Sequence, residues 1–257
     1  MLKSRYSPVE SLKIMGHAPN QVMGPNIELL LWNVFKCKKK GWLEDFKTLT
    51  CDKDLILLQE AILNSPFDID FKKSLQHQWM MARSFKNVKT NIVTGVKTGS
   101  TVAAQQHYFS VSKHSEPVSQ TKKMLLATLY PLPTLGQSLL VVNSHLINFV
   151  SFEKFRAHLD QVFHTLENHN GPILLAGDFN TWNGKRLRYF NQLATSFSLE
   201  EVKMDRKPRL NHLFHHLDHI YFRGLEVVNA HVHTNIHSSD HYPISLSLHT
   251  LNPVAIK

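Results

Sequence analysis

Cysteine is nearly absent. Cys37 and Cys51 are the two in a chain of 257 residues, which excludes a disulfide scaffold and a zinc site built from four thiolates. Long apolar runs are missing too: no stretch approaches the roughly 18 consecutive apolar residues of a membrane helix, and the N-terminal residues lack the unbroken apolar core of a secretory signal. After residue 25 there is no internal repeat, low-complexity tract or linker-like shift in composition. Ten glycines and eleven prolines beside 42% apolar residues exclude a disordered or collagen-like chain. Acidic residues are scarce. Twenty Asp and Glu against 29 Lys and Arg leave a net charge of +9, and 17 histidines add charge just below neutral pH. Such a balance favours polyanionic partners, namely nucleic acid, an anionic membrane surface or phosphorylated small molecules.

The length suits one large domain, which buries about 70–75% of its unfolded surface without staples. The expected organisation is a polar N-terminal arm over residues 1–25, lying on the surface or partly disordered, and a single domain over 26–257. A cytoplasmic monomer is expected, with signal-independent secretion left open.

After Pro25, short apolar runs alternate with amphipathic stretches. Residues 27–35 (IELLLWNVF), 54–59 (DLILLQ), 138–143 (SLLVVN) and 172–176 (PILLA) are apolar on both faces, as central strands covered on both sides must be. Residues 217–222 (LDHIYF) and the alternating 243–248 (PISLSL) complete the strand series. Phe152, Phe155, Leu159, Val162, Phe163 and Leu166 recur at helical spacing, which predicts an amphipathic helix over 152–168. Residues 41–50 and 184–197 are weaker helix candidates, and 79–131 reads as antiparallel strands. One mixed α/β domain follows.

Chemistry gathers where the runs stop. They end in Trp32-Asn33, Gln59-Glu60, Asn143-Ser144-His145 and Gly177-Asp178-Phe179-Asn180, while Leu217-Asp218-His219 opens the next strand and Ser238-Ser239-Asp240-His241 precedes the last. Strand ends in open α/β sheets present side chains from a rigid base. Carboxylates, amides and two histidines at one edge make a hard-cation site with an acid/base set, suited to Mg²⁺ or Mn²⁺. Singly, each has a bland alternative: Asn33 as a turn former, His145 as a satisfied core histidine. Gly-Asp-Phe-Asn after an apolar strand is the most specific piece.

The ordered set WN, QE, NSH, GDFN, LDH and SDH resembles the endonuclease/exonuclease/phosphatase superfamily. The strings WNVFK, LILLQEA, VVNSHLINF and GPILLAGDFNTW are similar to its bacterial YafD-like subgroup. The resemblance implies a four-layer α/β sandwich, two mostly antiparallel sheets face to face with helices outside. It also implies roles. Asn33 and Glu60 match the pair that places the metal, with Glu60 as direct ligand, and Asp240 matches a metal or second-metal ligand. Asp178 and Asn180 match the pair that positions the nucleophilic water and the phosphate. His241 matches the catalytic histidine, Asp218 the carboxylate that orients it, and His145 a second histidine at the scissile phosphate. One or two Mg²⁺ or Mn²⁺ ions are implied, with His241 or Asp178 as base. A Gly-x-x-Ile-x-Ser pattern common in the family is poorly matched by residues 94–104, so no residue between 80 and 130 is assigned to the site.

Lys185, Arg186 and Arg188 follow the GDFN turn, and Lys36, Lys38, Lys39 and Lys40 follow Asn33. Their placement suggests a positive rim for a nucleic-acid backbone, against the alternative of solvated faces. Trp182 is placed either to stack on a base or sugar or to pack beneath its loop. The spacing of His212, His215, His216 and His219 invites a zinc reading, which the strand pattern at 217–222 disfavours. The leading function is a metal-dependent nuclease. A phospholipid or inositol-phosphate phosphoesterase and a non-catalytic nucleic-acid-binding scaffold are the rivals.

Overall fold

The computed structural model describes residues 3–7, 10–63, 76–134, 136–204 and 217–251. These form two sheets. The first runs in the order β1 (Lys3–Arg5), β5 (Gln78–Asn87), β6 (Val93–Ser100), β4 (Leu55–Leu63), β3 (Asn26–Asn33), β14 (Ile244–Thr250) and β13 (Leu225–Val232), with β2 (Leu12–Met15) also paired to β5. The second runs β11 (Glu200–Glu201), β12 (Asp218–Arg223), β10 (Ile173–Asp178), β9 (Ser138–His145), β8 (Met124–Pro131) and β7 (Gln106–Val111). Among the pairings of described strands only β3 with β4 and β9 with β10 run parallel, and a single parallel bridge joins Asn20 to Val102.

The doubly apolar strands are explained by what covers them. Ile27, Leu29 and Leu31 of β3 and Leu55 and Leu57 of β4 face the second sheet, and Leu139, Val141, Leu174 and Ala176 of β9 and β10 meet them. The alternate residues point away. Leu30, Trp32, Ile56 and Leu58 pack on α1 (Trp42–Thr50), which buries Trp42, Phe46 and Leu49 at helical spacing. Leu140, Val142, Ile173 and Leu175 pack under α2 (Phe152–His164) and α3 (Gly184–Ser196) through Phe155, Leu159, Val162, Phe163 and Phe190. Period-2 side-chain alternation thus turns each strand into a contact between two layers, and each fully buried Leu or Phe contributes about 1.5–3 kcal/mol. The result is the four-layer α/β sandwich that the resemblance implies.

The segment before Pro25, expected to lie as an arm, supplies β1 and β2, both antiparallel to β5. A polar link crosses the apolar layer just beneath the strand ends. Gln59 Nε2 donates to Asn143 Oδ1 at 2.7 Å, and Asn143 Nδ2 donates to the carbonyls of Leu58 and Lys97. Buried amides at facing strands fix how the sheets align, since any slip would strand them without partners.

Candidate active site

Strand register assembles the centre. Asp178, at the end of β10, lies opposite His145 of β9 on one side and Asp218 of β12 on the other. In the facing sheet Asn33 ends β3 beside Gln59 of β4. Gly177 permits this: a Cβ there would sit 1.8 Å from the Ser144 carbonyl oxygen, so only glycine lets β10 approach β9 immediately before the aspartate.

Asp178 Oδ2 is the hub. Asn33 Nδ2 donates to it at 3.0 Å, His145 Nε2 lies 3.4 Å away and His241 Nε2 3.8 Å away. The far side of His241 is held by Asp218, Nδ1 to Oδ2 at 2.7 Å. Asp178, Asp218 and His241 are close enough for one ligand atom from each to meet a common ion. Asp178 Oδ1 accepts the backbone N–H of Asn180 at 3.2 Å, an aspartate turn onto a left-handed residue (φ 51°). The Asn180 amide Nδ2 donates to the Leu146 carbonyl, pinning the loop after His145.

The loop bearing His241 is lashed to the first sheet. Ser239 Oγ donates to the Asn33 carbonyl at 2.6 Å, Trp32 Nε1 donates to the His241 carbonyl at 3.1 Å, and Lys39 Nζ donates to the Ser239 carbonyl at 2.6 Å. Asp240, expected as a metal ligand, is exposed and accepts from Ser239 Oγ at 3.3 Å.

Electrostatics drive the titratable groups apart. Burial pushes the Asp178 carboxyl up to about 7, against the pull of His241 and the Asn33 hydrogen bond. Burial would depress His241, but Asp218, with Asp178 and Asp240, raises it to about 10. Burial and the nearby Lys123 and His241 hold His145 well below its ordinary value, so it is neutral.

Glu60 sits at the recess beside this centre. Its backbone is left-handed (φ 49°) at a bulge in β4, where pairing with β6 slips between Leu58 and Ala61. Such a conformation costs about 1–2 kcal/mol in a non-glycine residue. Lys36 bonds its Oε2, and Lys123 Nζ lies 3.9 Å from Oε1. Burial opposes ionisation of Glu60, but these two lysines outweigh it and keep the carboxyl below its ordinary value. Lys123 also pairs with Glu116 at 3.3 Å. Glu116 in turn accepts the Asn148 N–H, which joins the β7–β8 loop to the loop after His145. No motif surrounds Lys123 and Glu116, which precede β8, so the sequence gives no sign of them. Proximity to Glu60 arises only through the fold.

The expected basic rim is reduced. Arg186 is not on it: the side chain is 1% exposed, its guanidinium donating to the Asn180 and Val150 carbonyls at 3.0 and 2.8 Å and lying over the Phe155 and Trp182 rings. A helix face facing the loop behind GDFN needs donors for those carbonyls, which is why this cation turns inward. Lys185 and Arg188 are exposed. Trp182 donates from Nε1 to Asn148 Oδ1 and packs on Arg186, a loop-packing role. His212, His215 and His216 lie outside the described residues. His219 is buried in β12 between Thr181 Oγ1 and Glu201 Oε1, each at 2.6 Å.

Similarity to known proteins decides what family this geometry belongs to. The profile of the Endonuclease/Exonuclease/phosphatase family matches residues 30–241. The chain belongs to that family. A UPF0294 protein of Yersinia pseudotuberculosis is 34% identical over 224 residues, covering 86% of this chain and 84% of the relative. Another from Vibrio parahaemolyticus is 32% identical over 232 residues, covering 88% and 78%. These relatives fit the YafD-like subgroup. Among solved structures, an endonuclease/exonuclease/phosphatase from Beutenbergia cavernae superposes with a TM-score of 0.71 at 15% identity, over 89% of this chain and 72% of that one. The human Nocturnin catalytic domain gives 0.66 at 17% identity, over 95% and 100%. Caenorhabditis elegans TDP2 gives 0.59 at 15%, over 88% and 98%. The fold is that of these DNase I-like proteins, and family membership indicates a phosphodiesterase-type hydrolase.

Proposed function

We propose that the protein is a divalent-metal-dependent phosphodiester hydrolase acting by in-line attack of water, with nucleic acid as its substrate class. The observation that carries this reading is the convergence of His145, His241 and Asn33 on Asp178 Oδ2, with Asp218 behind His241. The oxygen-rich donor set fits Mg²⁺ or Mn²⁺, one or two ions. Glu60, kept ionised by its lysines, would hold the first, and the Asp218 carboxylate offers further oxygen ligands. Asn33 accepts the Phe35 N–H on Oδ1 at 3.1 Å, which leaves that oxygen a second lone pair for the cation, and its Nδ2 serves Asp178. A bound cation supplies charge neutralisation at the phosphoryl oxygens.

The chain's own groups divide the proton work. Asp178, poised near neutrality, takes the proton of the attacking water. His241, held as an imidazolium by Asp218, donates to an oxygen that gains charge, and neutral His145 offers a hydrogen bond without adding charge. Nucleic acid is favoured by the +9 balance and the exposed Lys185 and Arg188 on α3. A phospholipid substrate is favoured by one feature, the 69% exposed Phe149 in the loop after His145. Plasmid DNA, RNA, sphingomyelin vesicles and bis-p-nitrophenyl phosphate, each with and without chelator, test the proposal. Chelator-sensitive cleavage of nucleic acid is expected. Turnover of vesicles alone would move the substrate to lipid, and binding of DNA without turnover of any phosphoester would leave a non-catalytic scaffold.

A further inference from the structure

Lys36 sits on an unusual piece of backbone. Phe35, Lys36 and Cys37, none of them glycine, have successive φ values of 47°, 57° and 55°. A run of left-handed residues persists only where its surroundings impose it. Here Asn33 Oδ1 takes the Phe35 N–H, the Val34 carbonyl takes the Cys37 N–H at 2.8 Å, and the Lys38 ammonium lies over the Phe35 ring. The turn directs Lys36 back across the end of β4 onto Glu60.

The two lysines at Glu60 are not equivalent. Lys123 has a second carboxylate in Glu116, itself fixed by Ser119 and the Asn148 N–H. Among the described residues Glu60 is the one carboxylate that Lys36 meets. A cation arriving at Glu60 would therefore release Lys36 and leave Lys123 anchored. The released ammonium has somewhere to go. Lys36, Glu60, Lys123 and His145 line one recess that opens to solvent, and His145 is 3.4 Å from Asp178. In that recess Lys36 and Lys123 balance Glu60 and Glu116. A divalent cation adds two positive charges, one of which the single negative charge of a phosphodiester offsets.

From this we infer that Lys36 is a substrate-binding lysine held in reserve: it neutralises Glu60 in the metal-free protein, yields that carboxylate to the cation, and then contacts a non-bridging phosphate oxygen. The inference rests on the reading of Glu60 as the cation's ligand. Its signature is two effects of opposite sign. Removing the ammonium strengthens metal binding, because the carboxylate no longer has to be vacated, and weakens use of the phosphodiester.

Calorimetric titration of Mn²⁺ into the parent, Lys36→Met, Lys36→Arg and Glu60→Gln proteins tests the first effect. Lys36→Met should bind Mn²⁺ about 3–10-fold more tightly, as expected for loss of a competing half-buried ion pair. Lys36→Arg, which keeps the charge, should stay near the parent. At saturating Mn²⁺, kcat/KM for bis-p-nitrophenyl phosphate should fall about 10–100-fold in Lys36→Met, the size of losing one donor to developing charge. Unchanged or weaker Mn²⁺ affinity in Lys36→Met overturns the reserve role. Unchanged kcat/KM in that variant overturns the phosphate contact. Parent-like Mn²⁺ affinity in Glu60→Gln refutes the underlying reading of Glu60, whereas lost affinity there with an unmoved Lys36→Met refutes the lysine's role alone.

Discussion

Asp178 and His241 face each other across 3.8 Å with opposite charge tendencies, the carboxyl raised by burial to about 7 and the imidazole raised by Asp218 to about 10. The proposed proton transfers need the first deprotonated and the second protonated. The profile of kcat/KM against pH should rise through the Asp178 value and fall through the His241 value, a bell between them. Asp218→Asn removes the charge that holds the His241 proton, so the alkaline limb should move to lower pH while the acid limb moves less. A limb that stays put in a pH–rate series would show that Asp218 does not tune His241. These residues are legible in the sequence because each closes or opens an apolar run, where a polar side chain has little reason to be unless it does chemistry. The pairing of Lys36 with Glu60 is not legible there, since no glycine announces the left-handed turn that folds the lysine back. Asp240, beside His241 in sequence, is exposed, while Ser239 before it is seated on the Asn33 carbonyl.

Strands are easier to foresee than their partners. The doubly apolar runs form β3, β4, β9 and β10, and the helical spacing over 152–168 forms α2, ending at His164. The register that sets His145, Asp178 and Asp218 side by side is a property of pairing over long sequence distances, and no local pattern states it. The KRLR stretch shows the limit most clearly. Charge alone cannot tell the exposed Lys185 and Arg188 from Arg186, which is buried and holds α3 to the GDFN loop. Arg186→Ala would strand the Asn180 and Val150 carbonyls and cost about 2–4 kcal/mol, lowering the melting temperature by about 5–15 °C in a chain this long. Lys185→Ala and Arg188→Ala should stay within about 0.5 kcal/mol of the parent. Thermal unfolding of the three variants makes the comparison, and an Arg186→Ala protein as stable as the other two would return that residue to the surface.

The molecule as a whole buries histidines that cannot charge. His158 in α2 accepts the Ile147 N–H through Nδ1 at 3.2 Å, and burial, with Lys123 and His114 nearby, lowers it to about 3. The unfolded chain takes up this proton near pH 6.5 and the folded one does not. The stability that His158 contributes is therefore intact above about pH 6.5 and falls below it, by about 1.4 kcal/mol per pH unit until about pH 3, with His145 adding in the same direction and the raised Asp178 carboxyl, protonated in the fold below about pH 7, offsetting part of the loss. Urea unfolding between pH 7.5 and 5 should show that loss, and His158→Gln, which keeps an acceptor for Ile147, should flatten it; an equal slope in the variant would remove His158 from the cause. The same packing that imposes this acid sensitivity holds the strand ends rigid enough to set a centre from both sheets. That centre is most directly tested by the turnover of bis-p-nitrophenyl phosphate in Mg²⁺ or Mn²⁺ buffer by the parent, Asp178→Asn and His241→Gln proteins. The expected result is chelator-sensitive hydrolysis by the parent, with kcat lower by about 10²–10⁴-fold in each variant and the melting temperature retained. Equal rates in all three folded proteins would contradict the assignment of this site.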